Sequence, residues 1–281
     1  MQIQWFPGHM AKTARLIQDN LKLCDIIIEL ADARIPAASR NPYLSSLLGN
    51  KPRLLILNKA DLADPAVNTL WKKQYDSQNI TALFVNCRGE KISNLVMDAV
   101  RTKLAPLLAK RAAKGMQGAP IRMMVTGIPN VGKSTFINNL AGRAGAKTGD
   151  KPGITTGKQW IKLAGGGELL DTPGMLWQKF DDSETGIRLA FTGAVRDTIL
   201  DMEELAVHLL LFLRSAYPAV LHSRYGIENV TKKEGYPLLC EIAEKRHFLV
   251  RGGEPDTERA ANVLIDECRG GKLGRFSYER P

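Results

Sequence analysis

The sequence predicts an α/β fold, a doubly wound and mostly parallel sheet, followed by a small all-helical domain. Three observations predict it. Short apolar runs alternate with helix-patterned segments over the first 175 or so residues. A glycine-rich G-x-x-x-x-G-K-S run stands between one such apolar run and a helical pattern. After Trp177 the strands stop, and helical patterns follow one another.

Residues 24–31, 53–57, 81–86, 122–126, 159–163 and 168–170 read as strands. Several are almost continuously apolar, as parallel strands covered on both faces must be. Residues 11–22, 66–77, 93–113 and 133–140 read as the intervening helices. Beyond them, 184–196, 203–216, 235–245 and 257–268 carry helical periodicity, with Asp256 as an N-cap and Gly270-Gly271 as a stop. These segments define two domains, 1–178 and 179–281.

The 281 residues are 44% apolar and 24% charged, ordinary for a globular chain. The longest apolar stretch, 205–213, is interrupted by His208 and is far too short to span a bilayer. The first residues, MQIQWFPGHMAK, have no secretory or transit character, so a cytoplasmic location is expected. Cys24, Cys87, Cys240 and Cys268 are scattered without a C-x-x-C pair, which argues against zinc fingers and a disulfide frame. Cys24, Cys240 and Cys268 read as core residues, and His208, in a leucine-rich helix, as packed rather than a ligand. Net charge is +10: residues 1–178 hold 24 Lys/Arg against 12 Asp/Glu, and residues 179–281 hold 15 against 17. Such a field favours polyanions through counterion release, although charge alone does not establish RNA binding.

Residues 127–134, GIPNVGKS, follow a strand and open a helix. There, glycines let backbone N–H groups wrap phosphates, Lys133 supplies a cation, and the Ser134 hydroxyl can ligate Mg²⁺. Asn58-Lys59-Ala60-Asp61 ends another strand. Guanine presents two N–H donors on one edge, which the Asp61 carboxylate can accept together; Asn58 and Lys59 brace the ring and the loop. Asn86-Cys87-Arg88 can offer backbone to the same base. Asp171-Thr172-Pro173-Gly174 places Asp171 to hold Mg²⁺ through water and the Gly174 N–H to sense a γ-phosphate. In residues 152–156, PGITT, either Thr155 or Thr156 can give Mg²⁺ a hydroxyl, with Thr155 favoured. The expected nucleotide residues are thus Asn58, Lys59, Ala60, Asp61, Asn86, Cys87, Asn130, Val131, Gly132, Lys133, Ser134, Thr135 and Gly174. The metal residues are Ser134, Thr155 and Asp171.

Together these segments resemble the five signature motifs of translation-factor-class GTPases, but in the order base motif, second base loop, phosphate loop, switch one, switch two. That order is a circular permutation, tolerated when a fold's termini lie close together. Among permuted GTPases, Trp5-Phe6-Pro7-Gly8-His9-Met10, Asp32-Ala33-Arg34-Ile35-Pro36 and the helical tail resemble the bacterial ribosome biogenesis GTPase A (YlqF) family over nearly the whole chain. The resemblance implies GTP as substrate and a role late in assembly of the large ribosomal subunit, stimulated by the particle. It implies the subunit precursor, ribosomal RNA and ribosomal proteins as partners of a monomer that contacts no membrane. The helical domain would then begin directly after switch two.

Many GTPases carry a water-orienting Gln just after the switch-two glycine. Here that position is Met175, and the resemblance suggests His9 as the catalytic group instead. The alternative is that His9 packs beside Trp5 and Phe6, or contacts RNA. In related GTPases an Asn at the place of Asn130 helps bind K⁺, against a plain turn-forming role. Arg34 reads either as a phosphate or RNA contact or as part of a structural turn. Arg101, Lys103, Lys110, Arg111 and Lys114 read as a solvated helix face or an RNA contact. Two other functions stay open: a signalling GTPase acting on protein partners without RNA, and a non-enzymatic RNA chaperone.

Overall fold

In the computed structural model, residues 9–142, 159–163, 166–176 and 182–281 are described, without the side chains of 9–12, 45 and 159. They form two compact units: residues between 9 and 176 together with 279–281, and residues 182–278.

In the first unit, α1 (His9–Leu21), β1 (Ile26–Asp32), α2 (Pro42–Leu48), β2 (Arg53–Asn58), α3 (Pro65–Ser77) and β3 (Ala82–Phe84) come first. Then follow α4 (Ser93–Lys103), α5 (Ala105–Ala113), β4 (Ile121–Gly127), α6 (Lys133–Ala141), β5 (Gln159–Leu163) and β6 (Gly167–Asp171). Among the described residues these strands make one sheet in the order β3-β2-β1-β4-β6-β5. All neighbours are parallel except β5, an antiparallel edge on β6. Burial explains the apolar runs: all seven residues of β1 are buried, as are Leu54 through Asn58 of β2. Leu55 and Leu57 join Val67, Trp71 and Tyr75 of α3 in one apolar cluster, while α4 packs on β2 and α6 on β4. Helix α3 starts where Asp64 accepts a hydrogen bond from the Ala66 N–H at 2.9 Å and Pro65 takes the first turn.

Three local differences from the sequence reading have proline or glycine causes. The helix expected over 93–113 breaks at Leu104, because Pro106 cannot continue the hydrogen-bond ladder. Pro42 and Pro218 open two unexpected helices, α2 and, in the second unit, one over Pro218–Tyr225. The helix expected over 184–196 ends at Phe191, ahead of Gly193 at φ 76°.

The first unit also takes in residues 279–281. The Glu279 carboxylate accepts from the backbone N–H groups of Ala37 and Ala38, the latter at 3.2 Å, and its carbonyl accepts from Trp71 Nε1 at 3.4 Å.

The second unit contains α7 (Ser183–Phe191), α8 (Met202–Ala216), α9 (Pro218–Tyr225), α10 (Gly235–Lys245) and α11 (Thr257–Arg269). Asp182, Asp201 and Asp256 cap α7, α8 and α11 through side-chain oxygens. Helix α8 buries Leu205, Leu209, Leu210 and Leu213 and packs against its four helical neighbours. Cys24 and Cys268 are core residues as expected, whereas Cys240 is only half-buried. His208 is half-buried on α8, its ring 3.9 Å from Glu204. No single helix among the described residues is long and apolar enough to cross a membrane.

Buried Glu267 of α11 joins three helices. It accepts from Arg224 Nε at 2.9 Å, Tyr225 OH at 2.8 Å and Arg246 Nη2 at 3.2 Å. The Arg224 hydrogen bond leads in holding this carboxyl below its ordinary value, against the opposing effect of burial. Its stabilisation is therefore complete above the unfolded carboxylate's range, near 4.5, and is lost as pH falls through the folded value. Glu267→Gln should cost about 2 kcal/mol at pH 7. In urea melts the gap from wild type should close as the pH drops below that range; a pH-independent gap contradicts the assignment.

Candidate nucleotide site

The candidate site lies where the parallel strands end. β2 delivers Asn58, β4 delivers the 127–132 loop, and β6 delivers Asp171. Loops at these carboxyl ends are where doubly wound sheets gather ligands.

Asn58 is 4% exposed, and its carboxamide bonds to two other loops. Nδ2 donates to the Val131 carbonyl at 2.8 Å, and Oδ1 accepts from the Cys87 N–H at 3.1 Å. One side chain thus ties the base motif to the phosphate loop and to the second base loop. Lys59 continues the link: its Nζ donates to the Asn130 carbonyl at 2.8 Å and pairs with Asp32 at 3.1 Å. Lys59 sits at φ 60°, a left-handed conformation that turns its side chain back across the strand end. The Ala60 N–H donates to Val85 at 3.1 Å. Asp61 is half-buried and acts electrostatically on Cys87, whose thiol burial pushes up to about 12 with help from Glu90 and Asp61. Asn86 caps its own loop, accepting from the Arg88 N–H at 3.0 Å and the Gly89 N–H at 3.1 Å.

The phosphate loop is shaped by its glycine and asparagine. Gly132 adopts φ 96°, and a Cβ there would overlap the Asn58 amide nitrogen. Asn130 sits at φ 55°, so the turn-forming role is realised in the backbone. Lys133 opens α6 with Ser134 and Thr135, both half-buried, beside it. Its Nζ donates to the carbonyls of Ile128 at 2.7 Å and Gly127 at 3.3 Å. Burial lowers the Lys133 ammonium to about 8 against the opposing pull of Asp171. Asp171 is 2% exposed. The neighbouring Thr172 hydroxyl donates to the Val125 carbonyl at 2.6 Å, which fastens this loop to β4.

Gly174 approaches the phosphate loop so closely that a Cβ would lie 2.9 Å from Lys133 Nζ and from Pro129 N. Any side chain at 174 would displace the loop or the ammonium. Met175, by contrast, is 2% exposed. Its N–H donates to Gly127 at 3.1 Å and its carbonyl accepts from Asn41 Nδ2 at 3.2 Å, so this residue is structural. The Ser134 hydroxyl and the Asp171 carboxylate are hard oxygen donors, a set that suits Mg²⁺. His9 begins α1, but its side chain, the 152–156 segment with Thr155 and Thr156, and the 5–8 part of the N-terminal motif lie outside the described residues.

Two supporting roles come from residues that the sequence reading missed or left open. Asn139 of α6 donates to the carbonyls of Cys87 at 3.0 Å and Glu90 at 2.6 Å and accepts from the Ile92 N–H at 3.1 Å. It braces the second base loop from below, and no motif marks it. Arg34 is 2% exposed and holds Asp32 with two side-chain hydrogen bonds of 2.9 and 2.8 Å, so the structural alternative is the right one. Of the expected basic face, Arg111 pairs with Asp25 at 2.6 Å and Arg101 with Asp98 at 3.3 Å.

A family model described as 50S ribosome-binding GTPase matches residues 122–242, from the phosphate-loop strand into the helical unit. The base motif at 58–61 lies upstream of that match. Ribosome biogenesis GTPase A of Bacillus licheniformis is 46% identical over 281 residues, covering 100% of this chain and 99% of the relative. Its namesake from Priestia megaterium is 45% identical over 282 residues, covering 100% and 98%. A crystal structure of GNP-bound YlqF from T. maritima is similar with a TM-score of 0.67 at 27% identity, over 96% of this chain and 98% of that one. The chain belongs to the ribosome biogenesis GTPase A family, circularly permuted GTP hydrolases in which the base-recognition segment precedes the phosphate loop.

Proposed function

We propose that this GTP hydrolase drives a late step in assembly of the large ribosomal subunit, with the subunit precursor, its RNA and its proteins as partners. In this reading it works as a cytoplasmic monomer, and the particle stimulates its turnover. The observation that carries the nucleotide half of the reading is the Asn58 carboxamide, which joins the phosphate loop and the second base loop through Val131 and Cys87. Support for the ribosomal half comes from the relatives' names and from the basic balance of residues 1–178.

The division of labour follows from the residues. Asp61 accepts the two N–H donors of guanine, with the 86–88 loop against the same ring. The N–H groups of residues 130–135 and the Lys133 ammonium receive the phosphates, and an anion beside that partly desolvated ammonium favours its charged form. Ser134, Asp171 and Thr155 hold Mg²⁺, which when bound neutralises charge on the outer phosphates. Asn130 contributes to a K⁺ site beside them. His9 orients the attacking water or takes its proton. The Gly174 N–H reads the γ-phosphate, and residues 179–281 contact ribosomal RNA.

The deciding experiment is GTP turnover with and without purified large-subunit particles, run in potassium and again in sodium. Particles should raise kcat in potassium and do so less in sodium. No stimulation together with no salt-dependent co-sedimentation would favour a signalling role on protein partners. Asp61→Asn should weaken GTP binding roughly hundredfold, since it removes a charge-assisted pair of hydrogen bonds. The same variant should gain affinity for xanthosine triphosphate, whose base offers one donor and one acceptor on that edge; titration with both nucleotides checks this. His9→Ala should lower kcat about a hundredfold or more with nucleotide affinity nearly intact, and unchanged turnover removes the catalytic role.

A further inference from the structure

Helix α6 reaches both ends of the candidate nucleotide site. It opens with Lys133, whose Nζ donates to the Ile128 carbonyl of the phosphate loop at 2.7 Å. Six residues on, about 9 Å along the helix axis, stands Asn139. Its carboxamide makes three hydrogen bonds, all to the 87–92 segment that leads from the second base loop into α4. Nδ2 donates to the Cys87 carbonyl at 3.0 Å and to the Glu90 carbonyl at 2.6 Å, and Oδ1 accepts from the Ile92 N–H at 3.1 Å.

These partners dictate the side chain. Two converging carbonyls call for two N–H donors, and the Ile92 amide calls for an acceptor beside them. A carboxamide carries that set on one planar group; a carboxylate, a hydroxyl or an ammonium does not. Ile92 is the N-cap of α4 and makes no side-chain cap itself, so Asn139 takes up one of the donors that the helix leaves over.

The Cys87 backbone is gripped from both sides. Its N–H goes to Asn58 Oδ1 at the end of β2, at 3.1 Å, and its carbonyl goes to Asn139. Within the loop, by contrast, Asn86 Oδ1 accepts from the Arg88 and Gly89 N–H groups at 3.0 and 3.1 Å. Those bonds shape the turn but do not anchor it to the rest of the site. Asn139 supplies an anchor, and it shares a helix with Lys133. The spacing of base loop and phosphate loop is therefore set by the rise of α6, a rigid element rather than a loop.

We propose that Asn139 is a positioning residue for guanine, one that holds the 86–88 backbone at a fixed spacing from the phosphate loop. It acts through Cys87 and Glu90 rather than on the nucleotide. Its loss therefore weakens capture of the base and leaves the reaction at the outer phosphates alone. The proposal rests on the reading of residues 86–88 as a base contact.

The test uses the full chain, with GTP turnover, GDP titration and inhibition by pyrophosphate, a probe of the phosphate loop alone. Asn139→Ala should raise KM for GTP and Kd for GDP about tenfold, with kcat within about twofold of wild type and pyrophosphate inhibition unchanged. Asn139→Asp keeps the size and the acceptor but turns an oxygen onto two carbonyls, so it should weaken GDP at least as much; being isosteric, it covers the case in which Ala loosens α6. An unchanged KM in the Ala variant, wild-type GDP affinity in the Asp variant, or pyrophosphate weakened as much as GDP each overturns the proposal. Asp61→Asn is run alongside. If that variant binds guanine nucleotides as wild type does, the base-site reading fails and the Asn139 role with it. If it loses them while Asn139→Ala does not, only the Asn139 role fails.

Discussion

Asn58 stands at the end of a central strand, and the two ends of its planar carboxamide bond to two different loops. Its Nδ2 reaches the Val131 carbonyl and its Oδ1 receives the Cys87 N–H. Because the amide is buried, removing either partner would strand a desolvated polar group, at a cost of about 1–3 kcal/mol. The surrounding chain accommodates this amide. Gly132 takes a left-handed conformation and lacks a Cβ where the amide nitrogen sits, and Asn139 fixes the far side of the Cys87 loop from α6. Rigid placement of three separate loops by two carboxamides is the kind of preorganisation that a nucleotide pocket needs.

The electrostatics below that amide follow one pattern. Asp32 ends β1 fully buried, a setting that would by itself raise its pKa, but Arg34 and Lys59 hold the carboxyl well below the usual carboxylate range. Lys59 is in turn lowered chiefly by burial, with Asp32 pulling it back up. A buried charge is tolerable when paired and hydrogen-bonded, and here the pairing also aims Lys59 at the phosphate loop through the Asn130 carbonyl. Lys133 lies in a comparably dry place with Asp171 as its opposing charge. The site thus keeps two partly desolvated ammonium groups, each restrained by backbone carbonyls.

Legibility in the sequence tracked how local each signal was. Strand cores were readable because parallel strands buried on both faces leave long apolar runs: β1 and β4 differ from the reading by a residue or two at each end, and the antiparallel edge strand β5 coincides with residues 159–163. Asp256 as the N-cap of α11 was readable because capping is decided within four residues. The 127–134 loop and the Asn58–Asp61 segment stood out as motifs because phosphate and guanine chemistry demand particular residues at fixed spacing, and the structure brings the two segments together through Asn58. Asn139 was not, since its partners lie some fifty residues away and a mid-helix Asn has no distinguishing spacing. The engagement of Glu279 with Ala37 and Ala38 was equally hidden, being a contact across more than 240 positions.

The sheet order has a further consequence for how the molecule is made. β1, β2 and β3, all complete by Phe84, form one half of the sheet, yet β1 needs β4 on its other edge, and β4 begins only at Ile121. During synthesis a nascent half-sheet with the unpaired edge of β1, begun by three isoleucines, at its rim must therefore wait for dozens of further residues before that rim is covered, the kind of exposed edge on which chains aggregate. The half that carries the Asn58–Asp61 segment emerges first and the half that carries the 127–134 loop later, so the two segments that Asn58 joins come together only when both are out. Glu279, translated after the whole helical unit, sets the last clasp.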